Sequence, residues 1–164
     1  MCASIIGQQL STKVADVIRE RFFALLDKRK DLAKQILTLD IDTIRSAGLS
    51  LSKANYIKNL AEFSIQNKQD FATIHLMDDE NAIHFLTQIK GIGQWTVEML
   101  LMFALGREDV FPLDDLGIQQ AMIKLYNIES DSKKILKIEM KKIASKWAPF
   151  RTYACLHLWR WKDA

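Results

Sequence analysis

Cysteine, proline and glycine are all scarce in this chain. Its 164 residues hold two cysteines, two prolines and six glycines. Cys2 and Cys155 lie near opposite ends, so neither a disulfide framework nor a metal knuckle is suggested, and a four-cysteine iron–sulfur cluster is excluded. So few turn-forming residues argue against a β protein of many short strands. No apolar run is long enough to span a bilayer, and the N-terminus lacks a basic-then-apolar leader pattern. These absences predict an intracellular protein (cytoplasm, nucleoid or nucleus) folded as one domain over residues 1–164. Charge is close to balance, 23 Lys and Arg against 20 Asp and Glu for a net +3, which permits a polyanionic partner without requiring one.

What the chain does have is helical spacing. Ser11 is placed to cap a helix reaching about Leu26, with Val14, Val17, Ile18, Phe22 and Leu25 on one face. Shorter helices are expected near Asp31–Leu39 and near Ile41–Ala47, the second ended by Gly48. Tyr56, Leu60 and Phe63 set the face of a helix over about 52–67. Asp78 and Asp79 are placed to start a helix carrying Ile83, Leu86 and Ile89. Beyond a glycine break, helices are expected from Trp95 to about Leu105, from the aspartate pair Asp114-Asp115 to about Tyr126, over 131–147 and over 151–162. The expected fold class is all-α.

Three features stand out against this background. Gly91-Ile92-Gly93 joins two helices with too few residues for an ordinary loop, and such a turn needs torsions open mainly to glycine. The helix after it presents its positive end to the turn, which suits an anion such as a DNA phosphate. A tight corner plugged by a buried Ile92 would use the same residues. Asp114 and Asp115 follow Pro112 at a helix start. One carboxylate would serve as the cap, leaving the other to face a cleft, where it could stabilise an oxocarbenium-like sugar or activate water. Finally, the closing stretch "WAPFRTYACLHLWRW" holds three tryptophans, a residue that on a helix is more often core than a stacking surface.

In order along the chain, "SIIGQQLS", "IKGIGQWTVEML", "DVFPLDDLGI" and "WAPFRTYACLHLW" resemble the 3-methyladenine DNA glycosylase II family, the alkylation-repair branch of the helix–hairpin–helix glycosylases. The similarity runs over essentially the whole chain. It implies an all-α helix–hairpin–helix glycosylase fold of two helical lobes with the active-site cleft between them, and the hairpin motif at about 80–105. Many members carry a preceding helix or an N-terminal β-rich lobe. This chain begins almost at the first motif, so the expectation is a domain without that lobe.

By position, the resemblance implies that Asp115 is the catalytic aspartate and Asp114 its acidic neighbour. Trp95 and Trp159 would line the pocket for the damaged base, with Met99 and Leu116 at further pocket positions. Gln8 and Gln9 fall on the turn that enters the minor groove, Gln9 as the wedge. Gly91, Ile92 and Gly93 would grip phosphate. The main-chain oxygens of Thr87, Ile89 and Ile92 are candidates for a monovalent cation, and no other cofactor is expected. Lyase-active relatives carry a lysine where this chain has Trp95, so the implied reaction is hydrolysis of the N-glycosidic bond of alkylated purines, such as 3-methyladenine, without strand cleavage. The implied partner is double-stranded DNA bearing alkylated bases, met by a monomer and away from membranes. A non-catalytic DNA-binding module built on the same hairpin is the alternative. Lysines 133, 134, 137, 141, 142 and 146 give one helix a basic side, expected to be solvated.

Overall fold

The computed structural model describes residues 1–162, and among them every regular element is helical. The helices are α1 (Cys2–Gly7), α2 (Thr12–Ala24), α3 (Leu32–Thr38), α4 (Ile41–Ser46), α5 (Leu51–Gln66), α6 (Lys68–Ala72), α7 (Asp79–Thr87), α8 (Gln94–Phe103), α9 (Leu116–Tyr126), α10 (Lys133–Ala144) and α11 (Arg151–Lys162). Single 3-10 turns at Ile74–Leu76 and Ser145–Trp147 extend the chain between them. None of these helices is long and apolar enough to cross a membrane.

Local chemistry sets most of the starts. Asp31, Asp40, Ser50, Asp78, Asp115 and Ser132 each accept a hydrogen bond from the main-chain N–H three residues on, satisfying a donor that has no partner inside its helix. Ser11 stands at the cap position of α2 without making that bond. Gly48, with φ of 104°, turns the chain after α4, and Asn127 ends α9 in the left-handed conformation that asparagine tolerates.

The chain forms two compact units, Met1–Val97 and Glu98–Ala164, with the division falling inside α8. In the first unit α3 and α4 pack on α5, and α1 packs on both α2 and α5. Ile5, Ile6, Phe22, Ile44, Ile57 and Leu86 are fully buried. The buried face of α2 is not the expected one. Ala15, Phe22 and, just beyond the helix, Leu26 turn inward, while Val14 and Val17 are exposed. Phe22 keeps its expected place; the small residues Gly7 and Ala15 face each other where α1 meets α2, a Cβ at Gly7 standing 4.0 Å from that of Ala15. In the second unit α9 packs on α11; Ile118 and Met122 of α9, Cys155 of α11 and Met140 of α10 are buried. Thr152 ties the start of α11 to the loop between α8 and α9, donating its hydroxyl to the carbonyl of Arg107 and accepting from the N–H of Val110. Arg151 forms a forked pair with Asp109, whose carboxyl is held below its ordinary range by that guanidinium.

Candidate active site and nucleic-acid interface

In the second unit, the aspartate pair divides its work differently from the expectation. Asp115 is both the helix cap and the buried carboxylate. It is 9% exposed, and its Oδ1 accepts the N–H of Ile118 at 2.8 Å and the indole N–H of Trp159 at 2.9 Å. Asp114 is exposed and ion-paired with Lys137 of α10. The reason is geometric. A cap residue points its side chain back over the first turn, where α11 brings Trp159, whereas the residue before it points outward. Asp115 and Trp159, 44 positions apart in sequence, therefore meet through the packing of α9 on α11.

The surroundings of this pair include two residues that sequence reasoning missed. Phe103, at the end of α8 and 63% exposed, stacks on the Trp159 ring with centroids 6.1 Å apart and planes at 28°. Gly117 lies against both partners: a Cβ there would stand 3.1 Å from Asp115 Oδ1 and 3.1 Å from Trp159 Nε1. Leu116, the first residue of α9, is 66% exposed, and Met99 is half-buried. Cys155 is buried, and its thiol is pushed up to about 12, chiefly by burial and then by the negative field of Asp115.

In the first unit, the hairpin is built from below. Gly91 has φ of 101°, and a Cβ there would come within 2.0 Å of the Tyr56 ring of α5. Asn59, one helical turn on, donates its side-chain amide to the carbonyl of Lys90. Ile89 and Ile92 are buried, and the N–H of Ile92 bonds the carbonyl of Ile89 at 2.9 Å, so the corner is plugged and closed. Gly93 departs from the expectation for this turn: it is not left-handed, and a Cβ there would meet nothing within 4 Å. Only the first glycine is demanded by torsion; the second leaves an open surface at the positive end of α8. Trp95 follows on the first turn of α8 and is 38% exposed.

The Gln8-Gln9 turn belongs to the same unit. Gln8 is held, its side-chain amide donating to Thr96 Oγ1 at 3.1 Å. Gln9 is exposed at the tip, with φ of 57°. Lys53 of α5 donates to the carbonyls of Ile6 at 2.8 Å and Gln8 at 2.6 Å, and burial lowers the pKa of its ammonium. No motif pointed to Lys53, because its partners are main-chain oxygens.

Residues 2–148 match the family described as HhH-GPD superfamily base excision DNA repair protein. The chain belongs to that superfamily. DNA-3-methyladenine glycosylase 1 of Schizosaccharomyces pombe is 35% identical over 162 residues, covering 96% of this chain and 68% of that protein. The YfjP protein of Bacillus subtilis is 33% identical over 166 residues, 98% of this chain but only 57% of its own length. Among solved structures, the S. pombe 3-methyladenine DNA glycosylase in complex with abasic DNA superimposes with a TM-score of 0.81 at 33% identity, covering 99% of this chain and 79% of that one.

This HhH-GPD chain also separates tryptophans that the sequence placed together. Trp147 packs edge-on to Phe111, with centroids 5.9 Å apart, and faces Tyr126. With Trp161 and Tyr126 it walls a separate hollow of about 500 Å³, and Lys124 sits over the Trp161 ring. Trp159, of the three, is seen to donate its indole N–H to the aspartate.

Proposed function

We propose that this chain is a monofunctional DNA glycosylase that hydrolyses the N-glycosidic bond of alkylated purines, such as 3-methyladenine, in duplex DNA and leaves an abasic site. The observation that carries the reading is the carboxylate of Asp115, fixed at the start of α9 by two N–H donors that share Oδ1. The shared oxygen fixes the plane of the carboxylate, so the group can face a reacting sugar without reorganising. The names of the relatives support the choice of alkylated bases as substrate.

The chemistry asks little more of the protein. A base inside the duplex cannot be reached, so the nucleotide is extruded at a cost of a few kcal/mol, less where damage has weakened pairing. Gln9, at the tip of a turn that Lys53 and Thr96 hold, is suited to occupy the space left in the stack. The turn Gly91-Ile92-Gly93 presents the positive end of α8 to a backbone phosphate. A 3- or 7-methylated purine is cationic, and an indole face attracts it by about 0.5–2 kcal/mol. We assign Trp159 to that attraction and Met99 and Leu116 to the apolar boundary; Trp95, in the first unit, is a second indole offered for stacking. The same positive charge makes the base a good leaving group, so Asp115 needs only to stabilise the oxocarbenium-like sugar and orient water.

We extend the proposal to a monovalent cation on the main-chain oxygens of Thr87, Ile89 and Ile92. An all-oxygen donor set suits a hard cation, and the Ile89–Ile92 bond already closes the turn that would present them. Bound there, the ion would add positive charge where phosphate approaches. The chain acts in this reading as a monomer on intracellular DNA.

One observation favours a non-catalytic binding module: capping α9 accounts by itself for an aspartate at position 115. Substitution Asp115→Asn separates the two readings. Release of methylated adenine from treated duplex DNA is expected to fall by at least about a hundredfold, in line with loss of a preorganised charge, while DNA affinity stays within about threefold. Unchanged base release would refute the glycosylase reading.

A further inference from the structure

We propose that Gly117 is a positioning residue: its lack of a side chain is what lets Trp159 hold Asp115. The inference rests on the glycosylase reading and adds to it the residue that fixes the carboxylate's orientation. Position 117 is the second residue of α9, and its backbone is not left-handed, so no torsion calls for glycine there. Alanine is the better helix former, so helix propensity does not call for it either. What calls for it is space. A Cβ would lie 3.1 Å from Asp115 Oδ1, 3.1 Å from Trp159 Nε1 and 3.1 Å from Trp159 Cδ1.

The first two atoms are the acceptor and donor of one hydrogen bond of 2.9 Å. A methyl group equally near to both ends presses on the bond from its side, and relief by moving either end lengthens it. Asp115 cannot readily yield, because the same Oδ1 also caps Ile118 at 2.8 Å. Trp159 is the part that gives, and it carries Phe103 stacked on its ring. Alanine at 117 therefore displaces the indole N–H from the carboxylate while leaving the cap and the helix intact.

Three variants test this: Gly117→Ala, Trp159→Phe and the pair. Trp159→Phe keeps a stacking ring and removes the donor. Each single variant is expected to lower the single-turnover rate of methyladenine release about tenfold or more, the scale of a hydrogen bond to a charged group, with DNA affinity nearly unchanged. The pair should release base no more slowly than Trp159→Phe alone, because Gly117 acts through the bond already lost. Alanine's helix propensity offsets part of the lost bond, so the melting temperature of Gly117→Ala should move by only a few degrees, whereas loss of activity through unfolding would need a far larger fall. A readout independent of activity is the Trp159 indole N–H resonance, assigned by its absence in Trp159→Phe; it should shift upfield in Gly117→Ala. A Gly117→Ala protein with wild-type release and an unmoved resonance overturns the proposal, as do additive losses in the pair. If the wild type releases no methylated base, or Asp115→Asn releases it as fast as the wild type, the glycosylase reading fails instead, and the resonance still reports whether the methyl displaces the indole.

Discussion

A methyl group at position 91 would have to share space with the ring of Tyr56, on a backbone that favours glycine. Gly91→Ala is therefore expected to destabilise the protein by at least about 2 kcal/mol from torsional strain and overpacking together, a fall of roughly 4–8 °C in melting temperature for a chain of this size. Gly93→Ala should melt like the wild type, because nothing lies near its Cβ, yet bind DNA more weakly if that open surface receives a phosphate. Thermal melts paired with DNA titrations check both; equal melting of the two variants would refute the asymmetry. The "GIG" motif was legible in the sequence, but the difference between its glycines was not, since it depends on a tyrosine 35 positions earlier in the chain. Asp114 and Asp115 show the same limit. Their placement at a helix start could be read locally, whereas which of them is buried is decided by Trp159 and Lys137, brought in from other helices.

Among the elements, those with local causes matched expectation best. The spans of α3 and α11, the Asp78 start and the Gly48 stop all follow from capping chemistry and periodicity within a few residues. The short α6 and the 3-10 turn after it were not anticipated, because five- and three-residue helices show too little periodicity to read. The buried face of α2 takes in Ala15 and Leu26 rather than Val14 and Val17, because burial is decided by the helices packed on it, α1 among them. The hairpin element carries its own prediction. If the oxygens of Thr87, Ile89 and Ile92 hold a monovalent cation, replacing potassium by tetramethylammonium at fixed ionic strength should weaken DNA binding several-fold, because the larger ion cannot enter the turn. Identical affinities in the two salts would exclude the cation.

For the whole molecule, the buried thiol of Cys155 links stability to alkaline pH. Its folded pKa of about 12 lies above its ordinary value of 9.0. Below about pH 9 both native and unfolded chains keep the proton, and the contribution to stability is fully present. Above that, the unfolded thiol ionises first, so stability falls as pH rises toward 12. Urea midpoints at pH 8 and pH 10.5 should therefore diverge in the wild type and diverge less in Cys155→Ala, which has no proton to lose; equal slopes would refute the linkage. The global fold was the most legible level of all, because scarcity of turn residues and helical spacing point the same way over the full length. Gln9 remains as a local conflict within that consistent whole. It holds a left-handed backbone at the end of α1 that asparagine or glycine would adopt with less strain. Selection for heat resistance alone would be drawn to that position. Gln9→Gly is expected to gain up to about 1 kcal/mol in melting experiments and, if Gln9 is the wedge proposed above, to slow base release, since a tip without a side chain leaves the vacated stack unfilled. In that corner of the molecule, robustness and repair would be traded against each other one residue at a time.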